Sequence, residues 1–410
     1  MGVPRPIDDV LPCVVDRVID QLGATRAPFD TLELALDVRG VPSNRDAVGR
    51  FITALANRVV AGGREVALPK PVVEARAAVA LVEGDAPEGA ARLASEALAG
   101  SRDLSQADRD DVMRAAALAI TATGGDVPAA VRQGRDTFAT LYAVQGLARS
   151  GRRDLARKLL NEVPPPTEIP SRGAYLIALG WLGDVAAARA MLDEAASTDP
   201  TLGVWLASVL ARSKEPEARA AVERELNRLE ARASHIASPD EAMETAALWS
   251  ELVWFREQQD RGSAHEARHR LDDWLLAKDD ARRQLLGINV VRVAVAGDLA
   301  EAGRLQNRLA VPLAVMAQLE LALLRDDLAA ALDALAQQQT ERQTAEQTTR
   351  RPPGELRDGV EIGEVTVWLV LAARKSLDPA IVVRFRALAC AADRKRRAIG
   401  EHQREARELQ

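Results

Sequence analysis

Cysteine is nearly missing from this chain: there are two in 410 residues, Cys13 and Cys390, near opposite ends. Two isolated cysteines make neither a disulfide framework nor a zinc ribbon, which fits a reducing compartment. Long apolar runs are missing too. The longest, "VTVWLVLAA" at 365–373, is far too short to span a bilayer. At the N-terminus, Asp8, Asp9 and Asp16 stand where a secretion signal needs an apolar core. Pro6 occupies the place where a myristoylation pattern wants Ser or Thr. The expected location is the cytoplasm, with no membrane contact. Neither sign of charge dominates: 54 basic residues against 60 acidic give a formal net charge of −6, and no global pull toward nucleic acid. Glycine-rich nucleotide loops, a Walker loop and a G-x-S-x-G elbow are all lacking.

Aromatics make up only 3% of the chain, so the 47% hydrophobic share is carried by Ala, Leu and Val. With Arg and Glu these are good helix formers, and the composition predicts an all-α protein.

The segment "AYLIALGWLGDVAAARAMLDEAASTDP" (174–200) reads as helix, Gly-Asp turn, helix and Asp-Pro stop. Gly183 supplies a turn-tolerant backbone, Asp184 can cap the next helix, and proline ends the unit. Ala188, five residues past Gly183, shares a helix face with Leu192 and Ala195. Weaker copies follow Gly151, Ser213, Gly262, Gly297 and Asp326, with degenerate ones at 84–100 and 125–134. An alanine recurs after each turn at 156, 188, 218, 267, 302 and 331, at spacings of 32, 30, 49, 35 and 29. In the helices before the turns, large apolar pairs recur at i, i+3: Val144 and Leu147, Leu176 and Leu179, Leu206 and Val209, Val290 and Val293. Before Asp326 the pair is Leu319 with the small Ala322.

The unit at 174–200 resembles a tetratricopeptide (TPR) repeat in its turn, its small residue at the helix crossing and its closing proline; the family's period is about 34 residues. Where TPR units carry Gly or Ala at the first position of the stripe, this chain carries Val or Leu. The resemblance covers about 125–340. It implies a right-handed superhelical α-solenoid of TPR-like hairpins, with capping helices at both ends. The expected organisation is an N-terminal cap at 1–66, an array at 67–340, a polar and Pro-rich connector at 341–358, and C-terminal helices with a charged tail at 359–410.

In TPR arrays the first helix of each unit lines the concave face. By that resemblance the partner-binding positions are Gln145, Arg149, Ile177, Trp181, Arg256 and Gln259. Trp181 leads them, since it directly precedes a turn and falls outside the Leu176/Leu179 stripe, and Trp is enriched at binding hot spots. The implied function is a non-catalytic scaffold or adaptor for a protein or peptide partner, or for a second copy of itself, with no cofactor.

Two other readings compete. His265, Glu266 and His269 spell H-E-x-x-H, the pattern of zinc hydrolases that place two imidazoles on one helix face and a Glu beside the metal. Against it stand Arg268 and Arg270, which would bring positive charge to the ion, and the assignment of Ala267 and Leu271 to the repeat core. A third ligand would have to come from Asp272 or Asp273 on the same helix, with Glu301 the least favoured choice, so no metal is assigned. The basic tail with Arg394, Lys395, Arg396 and Arg397 suits a nucleic-acid-binding regulator. Interleaved Glu401, Glu405 and Glu408 make a solvated helix end the better reading.

Overall fold

Every regular element among the described residues is a helix. The computed structural model describes residues 7–22, 45–61, 68–191, 269–274, 298–308, 313–348 and 363–390 apart from a few positions within them, with scattered residues in 220–231 and 290–294. No helix among them is long and apolar enough to cross a membrane.

Backbone contacts divide the chain into two units, Met1–Leu104 with Val315–Gln410, and Ser105–Ala314. Both boundaries fall inside the stretch expected to be one repeat array. The first unit begins with a 3-10 turn at Asp8–Val10, then α1 (Leu11–Leu22), α2 (Arg45–Ala61), α3 (Lys70–Glu83) and α4 (Ala90–Gly100). The second unit holds α5 (Gln106–Ala122), α6 (Ala129–Gly134), α7 (Thr137–Arg149), α8 (Arg153–Leu160), α9 (Ile169–Leu182), a helical stretch at 269–274 and α10 (Leu299–Arg308). The chain then returns to the first unit with α11 (Val315–Leu324), α12 (Leu328–Thr348), α13 (Gly363–Ala373) and α14 (Pro379–Ala389). The polar run expected to open the connector continues α12 as far as Thr348; the Pro352-Pro353-Gly354 break lies outside the described residues.

One turn recurs through both units. Gly124, Gly151, Gly183 and Asp326 all have positive φ, between 63° and 91°. At each, the next residue's N–H reaches the carbonyl five positions back: Gly125 to Ile120, Arg152 to Leu147, Asp184 to Leu179 and Asp327 to Ala322, at 2.8–3.0 Å. Asp298 makes the same bond to Val293 at 3.1 Å. This is the Schellman closure, which satisfies the last carbonyls of a helix and needs a left-handed residue. The residue that donates this bond becomes the N-cap of the next helix in the four turns that begin a described second helix. Its carbonyl accepts from Ala156, Ala188, Ala302 or Ala331, at 3.0–3.1 Å. At three of these turns its side chain caps as well: Asp184 accepts from Ala187, Asp298 from Glu301 and Asp327 from Ala330. All four alanines are fully buried. The turn alanines at 218 and 267 lie outside the described residues.

Within the second unit, α7 packs on α5, α8 and α9, so the first helices of successive hairpins lie side by side. Val144, Leu147, Leu176 and Leu179 fill the core between them. The α5–α7 crossing is very close. A Cβ on Gly146 would lie 2.0 Å from Thr121 Oγ1 and 2.6 Å from the Leu118 carbonyl, so only glycine fits there. Arg152, at the turn after α7, donates to the Thr121 and Gly125 carbonyls at 2.9 and 2.5 Å, tying its own turn to the preceding one.

The first unit joins the two ends of the chain. Trp368 of α13 is fully buried beside Phe51 of α2 (ring centroids 6.1 Å apart), and its indole donates to the Ile7 carbonyl at 3.3 Å. Glu364 is buried between Arg17 of α1 (3.5 Å) and the Gln339 amide of α12 (3.0 Å). Arg386 of α14 donates to Asp9 at 2.5 Å. The helices expected to cap separate ends of an array therefore pack on one another. This contact overturns the reading of the cysteines: Cys13 and Cys390 are joined by a disulfide, with Cα atoms 5.1 Å apart. A reducing compartment inferred from unpaired thiols loses its basis, because structural disulfides persist in oxidising surroundings.

Candidate functional site

Four of the six expected groove positions lie in described helices, on α7 and α9. Gln145 is buried, and its amide donates to the Ala174 carbonyl of α9 at 3.3 Å. It joins the two helices, and is withdrawn from the surface role expected of it. Arg149, Ile177 and Trp181 are half-buried. The Arg149 guanidinium lies over the Trp181 ring, 5.0 Å from its centroid. Such a contact is worth about 0.5–1 kcal/mol at a half-exposed site. Trp181 also packs against the apolar core of the second unit. Both residues flank turns of the repeated kind: Arg149 ends the helix before Gly151, and Trp181 precedes Gly183 by two. The turn geometry thus presents them together. Arg256 and Gln259 lie outside the described residues.

An open cleft of about 540 Å³ lies elsewhere in the second unit, walled by Val131 on α6, Thr137 and Thr140 on α7, and Leu155, Lys158 and Leu159 on α8. None of the four described groove residues lines it. Leu155 is one of few large apolar side chains left exposed among the described residues. With Leu159 beside it, its side chain gives the cleft an apolar wall.

A third constellation was discounted from sequence. His269 and Asp272 stand three apart on the 269–274 stretch, one face of a helix. Glu301, at the third position of α10, is set there by the Asp298 cap, which accepts from the Glu301 N–H at 2.9 Å. One ligand atom from each of His269, Asp272 and Glu301 falls within 4.8 Å of the others. Glu301, the least favoured of the three candidate third ligands, is the one that lies beside both His269 and Asp272. Asp272 is fully buried with both carboxylate oxygens sealed from water, and Glu301 is buried. The two carboxylates form a buried pair that joins helices 29 residues apart in the chain. Arg304 donates to both Glu301 oxygens, from Nε at 2.8 Å and from its second nitrogen. That bond to Glu301 raises the Arg304 pKa above its ordinary value; burial acts against it, and Asp272 and Asp298 add to it. One turn on, Arg308 donates to Asp273 at 2.7 Å and pins the same two helices together. His265 and Glu266 lie outside the described residues, as do the other two histidines and the basic tail. No protein-family model matches this chain, and no curated protein matches it, so fold and site rest on its own residues.

Proposed function

We propose that this chain is a non-catalytic protein-interaction scaffold, a TPR-like right-handed α-solenoid in its repeated portion. It engages a protein or peptide partner, or a second copy of itself, through the face that carries Arg149, Ile177 and Trp181. The observation that carries the reading is the Arg149–Trp181 stack, a half-exposed cation–aromatic pair set by two successive copies of one turn. Arg and Trp are the side chains most enriched where binding energy concentrates. Hairpins of this kind enlarge a surface unit by unit without needing a new core, which suits recognition more than catalysis. Because no relative supplies a function, the role follows from the site alone.

A photo-crosslinking residue at position 177, in the full chain within its own cell, tests this. Covalent capture of one protein partner, lost on Trp181→Ala, is the expected result. Capture that ignores both Trp181→Ala and Arg149→Ala would remove the basis of the reading.

A further inference from the structure

We infer that His269, Asp272 and Glu301 form a divalent metal site of the zinc class, which staples the 269–274 helix to α10. The donor set is one imidazole and two carboxylates, a combination that zinc and the neighbouring first-row ions accept, with water completing the coordination. The donors come from two helices, so an ion here crosslinks two helices and does not merely decorate one.

The geometry is close to what an ion requires. Tetrahedral ligands at about 2.0–2.2 Å from one ion stand about 3.3–3.6 Å from each other. The three ligand atoms lie within 4.8 Å of one another, so side-chain rotations of about an ångström bring them onto one ion. Burial points the same way. Asp272 and Glu301 are both buried, and two like charges held close together away from water are relieved by a dication between them. Arg304 does not compete for the site. A carboxylate offers about four lone-pair positions, and the guanidinium takes two of those on Glu301. With an ion bound, Arg304 becomes the outer group that orients a ligating carboxylate. The Arg308–Asp273 pair holds the two helices in register one turn away. This site is not the H-E-x-x-H arrangement. It uses the second histidine of that motif but takes its carboxylates from Asp272 and Glu301.

Full-length protein, stripped with chelator and returned to chelator-free buffer, is titrated with zinc chloride alone, and bound metal is counted after gel filtration. The expected result is one ion per chain. Glu301→Gln and His269→Gln should each weaken binding at least tenfold with the helical circular-dichroism signal retained, while His265→Ala binds like the parent. Failure of the parent to take up zinc saturably overturns the site, as does undiminished uptake by both variants. Loss of uptake in His265→Ala moves the ion to the other motif and overturns it equally. A readout on the parent alone guards against variants that do not fold: zinc should raise its melting temperature and chelator should reverse the rise. A melt indifferent to zinc contradicts a staple between the two helices.

Discussion

Cys13 and Cys390 are 377 positions apart in sequence, yet they are bonded to each other. The bond closes almost the whole chain into one loop. Loop closure of this length limits the unfolded state strongly, and removing such a link typically costs about 2–5 kcal/mol. Calorimetry with and without a thiol reductant, or of Cys13→Ser, should show a destabilised transition for the terminal unit. Intact-mass measurement of unreduced protein should find it lighter than reduced protein by two hydrogens. Two free thiols in protein purified under air would remove the bond from the native molecule.

Gly146 and Ala188 test the helix crossings. Gly146→Ala forces a methyl against backbone atoms of α5, including the Leu118 carbonyl, which cannot swing aside. Ala188→Trp drives an indole into a fully buried position. Each should cost about 1–3 kcal/mol or more in urea unfolding. A parent-like midpoint for Ala188→Trp would mean that the turn alanines do not mark close contacts.

Trp181→Ala separates surface from core. The ring is half-buried, packed against the core and covered by the Arg149 guanidinium. The stability loss should be about 1–3 kcal/mol, below the ~3–5 kcal/mol typical of a fully buried aromatic. Chemical unfolding of this variant and of Arg149→Ala gives both numbers. A loss at the buried-aromatic level would make Trp181 a core residue and leave the interaction face without its anchor.

Asp326 is the non-glycine member of the recurring turn, at φ 63°. Its carboxylate is bonded to Arg374, an exposed contact worth at most about 1 kcal/mol. Glycine at this position removes a left-handed strain of about 1 kcal/mol or more. Asp326→Gly should therefore melt at or above the parent temperature. A loss beyond 1 kcal/mol would show that the ion pair outweighs the backbone.

The repeat was legible because its signals are local. Gly183-Asp184-x-x-x-Ala188 encodes a left-handed residue, a cap and a small side chain within six positions, and the structure uses all three. The i, i+3 stripes of Val144/Leu147 and Leu176/Leu179 were legible for the same reason. Gln145 shows the limit of carrying a surface over from a resemblance. It sits on the expected helix, but its amide is drawn inward by a carbonyl 29 residues away. The Cys13–Cys390 bond, the Gly146–Thr121 contact and the approach of Glu301 to His269 leave no periodic trace, because each depends on how helices dock and not on any spacing along one of them.

The joining of the two chain ends in one unit has a consequence for biosynthesis. A ribosome delivers residues from the N-terminus, so Ile7 and Phe51 emerge more than 300 positions before Trp368, the side chain that packs against them. All of Ser105–Ala314 is made in that interval. The middle unit can find its contacts while the chain is still growing, whereas the apolar faces of α1 and α2 stay without their α13 partner until Gly363–Ala373 appears. Holding those faces apart from other molecules during translation is a demand that this topology places on the cell.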